Sequence, residues 1–234
     1  MTPREKLDIS AYFVVGPENT KGRSMVDIIK DAVISGFTCV QIRSKIANAS
    51  ELITLTSQAA DVIASVGLSE KVTLLVDDRL DVVLTLLKRG IKVDGIHVGQ
   101  SDIPVDICRE YLGQDLVVGL SARTDELAEY IQTVDTTSID YFGIGPLRET
   151  ATKVDCGRDS KGNIITRDFE EIKNLAKISP LPVVVGGGVK LDDLPLLAKT
   201  GVTGFFVVTA VSEADDPKAS ATSLVKAWQS SYFI

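Results

Sequence analysis

The 234-residue chain reads as a single (β/α)8 TIM barrel filling 1–234. Three observations predict it. Short runs rich in Val, Ile and Leu alternate with segments of helical periodicity, the order that gives a parallel sheet with right-handed crossovers. Those runs lack polar–apolar alternation, which suits strands covered on both faces. Eight such units in a length close to the roughly 250 residues of a typical barrel favour closure over an open doubly wound sheet.

The elements follow in order. AYFVV (11–15) is the first strand, and a helix over 24–35 has Ser24 placed as its N-cap. TCVQIR (38–43) is the second strand, and a helix over 50–66 again opens on Ser. VTLLV (72–76) is the third strand, followed by a helix over 81–88 that Gly90 ends. GIHVG (95–99) is the fourth, and Pro104 opens a helix over 104–112, where a missing N–H costs little. Strand 116–120, helix 125–133 and strand YFGIG (141–145) lead into the longest connection, 146–166, whose VDCGRDSKGN stretch is a candidate lid. A helix over 168–178 and the run PVVV (182–185) come next. A helical segment then places Leu191, Leu194, Leu197 and Ala198 on one face, before strand 204–208 and a last helix over 216–230. No linker, low-complexity tract or second domain interrupts this series.

Composition narrows the function classes. A net charge of −7 argues against a general nucleic-acid binder, which carries a basic surplus. No apolar stretch reaches the ~18 residues of a membrane span. The opening MTPREKLDIS has no apolar core for a secretory leader. Cys39, Cys108 and Cys156 match neither a disulfide framework nor a metal motif. That pattern leads us to expect a reducing cytoplasm. Cys39 reads as a small core residue, and Cys156, in a polar loop, as a thiol without an evident activating neighbour.

The chemistry gathers at strand ends. Gly186 to Gly188 follow one strand and Thr209 the next, so backbone N–H groups and a hydroxyl can meet a ligand there. Two such loops after strands seven and eight form a phosphate cup in many barrels, although a glycine run alone equally marks a tight turn. Polar residues also end the other strands: Gln41, Arg43 and Lys45; Asp77, Asp78 and Arg79; His97, Gln100 and Asp102; Ser121; and Thr150, Thr152 and Lys153. Taken singly each is an ordinary surface charge, but together they crowd one end of the barrel. Asp78 and Asp102 on adjacent strands, among cations, suit Mg²⁺ bridging to a diphosphate. Arg43 can grip phosphate with two donors, while Lys45 and Lys153 supply point charges. His97, inside a strand, reads as a general base or as a structural residue, and Ser121 as a hydrogen-bonding group. The Asp192–Asp193 and Asp215–Asp216 pairs read as helix caps and dipole partners.

Seven pieces, QIRSK (41–45), VDDR (76–79), DGIHVGQSD (94–102), GLSA (119–122), YFGIGPLRETATK (141–153), GGGV (186–189) and VVTAV (207–211), resemble the thiamine-phosphate synthase family, in the family's order. That family couples a hydroxymethylpyrimidine diphosphate to a hydroxyethyl-thiazole phosphate, releasing pyrophosphate and giving thiamine phosphate. The resemblance implies that Gln41, Arg43, Lys45, Asp77, Ser121 and Lys153 bind the pyrimidine diphosphate. Asp78 and Asp102 would hold Mg²⁺, and Thr150, Ala151, Thr152, Gly188, Val208 and Thr209 the thiazole phosphate. It implies a dissociative reaction in which Arg43, Lys45, Lys153 and Ser121 act by charge and positioning, with no side-chain nucleophile.

Three positions depart from the family pattern: Asp77 where Asn is usual, Ser44 for a common Glu, and Thr209 for a frequent Ser. A related thiazole tautomerase barrel, or a non-catalytic barrel binding thiamine intermediates, are the other readings. The tautomerase would not need Arg43, Lys45, Asp78, Asp102 and Lys153 together. The implied partners are these small molecules, with neither nucleic acid nor membrane. Association into a homo-oligomer is left open.

Overall fold

The computed structural model describes residues 1–122, 126–149 and 165–231. Eight strands close a parallel barrel in sequence order: β1 (Ala11–Val15), β2 (Cys39–Ile42), β3 (Thr73–Asp77), β4 (Gly95–Gly99), β5 (Val117–Ser121), β6 (Tyr141–Ile144), β7 (Val183–Val185) and β8 (Gly204–Val207). β1 pairs with both β2 and β8, which completes the ring. The described helices are α1 (Met25–Ile34), α2 (Ala49–Ser65), α3 (Leu80–Lys88), α4 (Val105–Leu112), α5 (Leu127–Thr133), α6 (Phe169–Ile178), α7 (Leu194–Lys199), α8 (Thr209–Ser212) and α9 (Pro217–Ser230).

The strands are covered on both faces, and most are apolar on both. Phe13, Val40, Leu74, Ile96, Val118, Phe142 and Phe205 face outward and pack under the helices. Tyr12, Val14, Cys39, Leu75, Val117, Tyr141 and Val184 face inward and fill the barrel. The large interior rings fit because glycines stand opposite them. A Cβ at Gly119 would lie 2.2 Å from the Tyr141 ring, and one at Gly186 would lie 2.1 Å from Phe206.

The structure moves several expected boundaries by a residue or two and changes three features. Asn48, not Ser50, caps α2, in a capping box with Glu51. Pro104 is the N-cap of α4 rather than its first residue. The segment after the glycines is a 3-10 turn, Leu191–Asp193, followed by the short α7 with Pro195 in its first turn. Leu194 and Leu197 are buried as expected, but Leu191 on the 3-10 turn is exposed. Two short elements were not expected at all: a 3-10 turn over Pro17–Asn19, and α8, which starts directly at Thr209.

The pole where strands begin is tied by a repeated device. The residue just before each even-numbered strand turns a side-chain oxygen to the N–H of a residue near the start of the preceding odd strand. Thr38 Oγ1 accepts from Ala11 N at 3.3 Å, and Asp94 Oδ2 from Leu74 N at 2.6 Å. Asp140 Oδ2 accepts from Val118 N at 2.8 Å, and Thr203 Oγ1 from Val183 N at 3.3 Å. Asp140 also meets the guanidiniums of Arg4 at 2.5 Å and of Arg109 at 2.7 Å. Arg109 is only 5% exposed, so it depends on that carboxylate.

Asp140→Ala would leave the Arg109 charge buried and underpaired, which typically costs about 3–5 kcal/mol. Urea unfolding should show that loss, with ligand affinities at the opposite pole unchanged. A loss below about 1 kcal/mol, the scale of an exposed pair, would show that the network is not holding this pole.

Candidate active site

A pocket opens at the C-terminal ends of the strands. One wall carries Gln41, Arg43, Asp77, His97 and Ser121, and the other Gly186, Gly187, Gly188, Val208 and Thr209. Tyr12, Val184 and Phe206 rise into it from the barrel interior.

The first wall is built from the ends of β2, β3, β4 and β5. Arg43 leaves β2 with its Nε 3.2 Å from Asp77 Oδ2, and Gln41 Nε2 donates to Asp77 Oδ1. Asp77 therefore turns its charge toward Arg43 and its second oxygen toward an amide. The loop after β1 supports this wall from outside. A Cβ at Gly16 would lie 1.9 Å from the Arg43 carbonyl oxygen, and Glu18 Oε1 accepts from Lys45 N at 3.0 Å. Ser44 Oγ accepts from Ala47 N at 3.0 Å, so this hydroxyl closes the turn that carries Lys45.

Lys45, Asp78 and Asp102 gather beside the pocket rather than in its lining. Lys45 Nζ lies 2.5 Å from Asp78 Oδ2. Asp78 adopts a φ of 60°, a left-handed conformation that a non-glycine residue rarely holds without a local reason. Burial alone would raise the Asp78 carboxyl, but hydrogen bonds led by Lys45 outweigh it and hold it below the usual carboxylate range. Asp102 behaves oppositely: burial first, and the neighbouring Asp78 charge next, push its carboxyl up. Its Oδ2 is steadied by Gly99 N at 2.9 Å.

Asp78 and Asp102, whose carboxyls act on each other's charge, are the neighbouring hard-oxygen groups that would hold a divalent cation. Mg²⁺ usually binds through one or two carboxylates and completes its shell with water and substrate phosphate oxygens.

The second wall is the glycine loop. Gly187 and Gly188 have φ of 78° and 77°, so this turn is one that side chains resist. Space forbids them too. A Cβ at Gly187 would lie 2.4 Å from Pro146 Cβ, and one at Gly188 would lie 2.9 Å from Arg148 Cβ. Arg148 ties the two loops together: Nη1 donates to Gly188 O at 3.0 Å, and Nη2 lies 2.6 Å from Asp193 Oδ1. Asp193 Oδ2 also accepts from Lys190 N at 2.8 Å. Beside this loop, on the same wall, the first turn of α8 presents Thr209 and Ala210 to the pocket, where the first N–H groups of a helix lack intrahelical partners.

Comparison with known proteins decides the family. A family model described as thiamine monophosphate synthase matches residues 11–211. The chain belongs to the thiamine monophosphate synthase family. A thiamine-phosphate synthase of Corynebacterium efficiens is 40% identical over 222 residues, covering 95% of this chain and 96% of that protein. One from Corynebacterium jeikeium is 36% identical, covering 94% of each. The solved thiamine phosphate pyrophosphorylase from Pyrococcus furiosus aligns with a TM-score of 0.75 at 25% identity, over 97% of this chain and 98% of that one. A 3-hexulose-6-phosphate synthase shares the fold alone, with a TM-score of 0.60 at 15% identity.

Within this synthase-family barrel, the structure draws Gln41, Arg43, Asp77, Ser121, Gly188, Val208 and Thr209 around one pocket and sets Lys45, Asp78 and Asp102 at its side. Thr150, Ala151, Thr152, Lys153, Cys156 and the candidate lid lie outside the described residues. His97 is 8% exposed, and both its ring nitrogens meet protein hydroxyls, so it stands as a structural link in the wall. Asp193 does more than cap a turn, because it anchors Arg148 against the glycine loop. Arg148, Glu18, Tyr12, Tyr141 and Phe206 escaped the sequence reading. The register that sets Tyr12 beside Cys39 and Tyr141 beside Gly119 exists only once the barrel closes.

Proposed function

We propose that this barrel is a thiamine-phosphate synthase that transfers a pyrimidinylmethyl group from its diphosphate to the nitrogen of a thiazole phosphate. The observation that carries the reading is the arrangement of the pocket. A cationic and acidic side with Arg43, Lys45, Asp78 and Asp102 faces a glycine and helix-end side with Gly188 and Thr209. In this reading two anionic substrates would take separate places, with their rings between them near Tyr12, Phe206, Gln41 and Ser121.

In this reading Arg43 and Lys45 take the diphosphate, and Gln41 and Ser121 orient the pyrimidine. Lys153 follows from the sequence motif alone. A Mg²⁺ held by Asp78 and Asp102 would offset the charge that builds on the departing diphosphate. The methylene C–O bond breaks with its electron pair leaving on the diphosphate, and the thiazole nitrogen then supplies the pair for the new C–N bond. No side chain needs to act as a nucleophile, so the rate would come from charge placement and alignment. We place the reaction in the cytoplasm on the cysteine pattern of the sequence alone.

The test is pyrophosphate release with both substrates and with each omitted. Release only when both are present supports the coupling. Absence of release with both, or a thiazole isomerisation without the pyrimidine, would overturn it. Lys153→Ala should then cut kcat by about 10²-fold or more, as loss of a preorganised charge does. A normal kcat with only a raised KM would reassign that residue to ground-state binding.

A further inference from the structure

Three consecutive backbone carbonyls, at the end of α8 and just past it, are held by cations from a single loop. Arg23 Nη2 donates to Ser212 O at 2.7 Å and Nη1 to Ala214 O at 2.6 Å. Lys21 Nζ donates to Glu213 O between them at 2.9 Å. Both cations stand on the connection between β1 and α1, 191 positions before Ala214 in the case of Arg23. That connection is shaped to present them. Arg23 N donates to Thr20 O at 3.0 Å across a turn whose central residues, Lys21 and Gly22, have φ of 51° and 76°. Two left-handed residues in succession are the pattern of a type I′ turn. Glycine adopts it freely, whereas a lysine stays there only where its surroundings enforce it. Arg23 Nε returns to the same Thr20 carbonyl at 3.3 Å, which fixes the plane of the guanidinium.

α8 needs such an anchor because it has only four residues. Nucleating a helix fixes several dihedrals for one hydrogen bond, so isolated helices shorter than about 12–15 residues are marginal in water. The bonds that close α8 run from Val211 N and Ser212 N to Val208 O, and from Glu213 N to Thr209 O. They begin at the two residues of this segment that face the pocket, so the place of the Val208 and Thr209 backbone follows from where the other end is pinned. Carbonyls at a helix end lack intrahelical donors, and cations suit that end. Ser220 Oγ of α9 adds a bond to Ala210 O at 2.6 Å, which steadies the middle of the turn but leaves its end to Arg23 and Lys21.

We propose that Arg23, assisted by Lys21, is a positioning residue for the thiazole phosphate: it pins the far end of α8 and thereby holds the Val208 and Thr209 backbone where that anion would meet it. The inference rests on the synthase reading for the identity of the anion. Arg23 does not line the pocket, so it acts through α8 rather than by contact. The loop divides its work by position. β1 lies between β8 and β2 in the ring, so the loop after it borders both sides of the pocket. Its opening part braces Lys45 through Glu18, and its closing part braces α8. Loss of Arg23 therefore falls on one substrate and spares the other.

The amides of Val211, Ser212 and Glu213 report the pinning without any ligand. In Arg23→Ala their hydrogen exchange should quicken about tenfold or more, while the β3 amides keep their protection. Calorimetric titration should show thiazole phosphate binding weakened about tenfold, the scale of losing a hydrogen bond from a charged donor. Pyrimidine diphosphate binding should stay within about threefold, as expected for a site that shares no partner with the change. Arg23→Lys should fall between native and Arg23→Ala, since one ammonium cannot span two carbonyls as the guanidinium fork does. It also carries the test if the alanine variant does not fold. Unchanged exchange in α8, or equal weakening of both ligands in a folded variant, overturns the inference. If the native protein binds no thiazole phosphate, the synthase reading fails and this inference falls with it. If the native protein binds it and the folded variants bind it as tightly, the inference alone fails.

Discussion

Asp78→Asn is expected to lower kcat by about 10²-fold or more at saturating substrates, the scale of losing one preorganised electrostatic group. The substitution is chosen for its backbone. Asp78 sits at a φ of 60°, and Asn tolerates that left-handed region better than other non-glycine residues do. The chain path should therefore survive, and the change falls on charge. Without this carboxylate, Lys45 loses its 2.5 Å partner and Asp102 loses the neighbour that helps to raise it. Activity should respond to added Mg²⁺ only at higher concentration, and Asp102→Asn should behave alike. Chelation of the native protein should abolish turnover, with Mg²⁺ restoring it. Full turnover in excess chelator would remove the cation from the reaction.

Gly188→Val is the second large expected effect, directed at the other substrate. At a φ of 77° a side chain costs about 1–2 kcal/mol from backbone strain alone. The new Cβ would also press on Arg148 Cβ at 2.9 Å, and the branch would add more. The loop should open away from α8, weakening thiazole phosphate binding by about 10²-fold, while pyrimidine diphosphate binding stays within about threefold. Calorimetric titration of each ligand separately reads this directly. Equal losses for both would mean that the two sides of the pocket have been divided in the wrong place, or that the barrel itself is damaged.

Much of this was open to reading from residues alone because barrel strands and phosphate loops depend on local signals. Uninterrupted Val-rich runs marked strands covered on both sides, and the polar residues ending them marked the working pole. Gly187 and Gly188 were legible because only glycine fits such a turn. The side-chain pairings were not legible. Arg148 meets Asp193 across 45 positions, and Tyr12 meets Tyr141 across 129. Neither separation leaves a periodicity, since the contacts follow from strand register around a closed ring. The short α8 was missed for a different reason: four residues after a buried strand are too few to show helical spacing. Asp77 looked, from the sequence, like an extra charge facing the diphosphate. The structure turns it instead toward Arg43 and Gln41.

The oxygens of Thr38, Asp94, Asp140 and Thr203 recur at every second strand, so the barrel is laid out in four quarters rather than eight equal staves. Each quarter fastens its own seam at the end remote from the chemistry. The opposite rim is thereby relieved of any duty to keep the cylinder shut. Loops there can be lengthened, shortened or exchanged for new specificity while the hoop beneath them stays fastened, much as the working end of a tool can be changed without touching its handle.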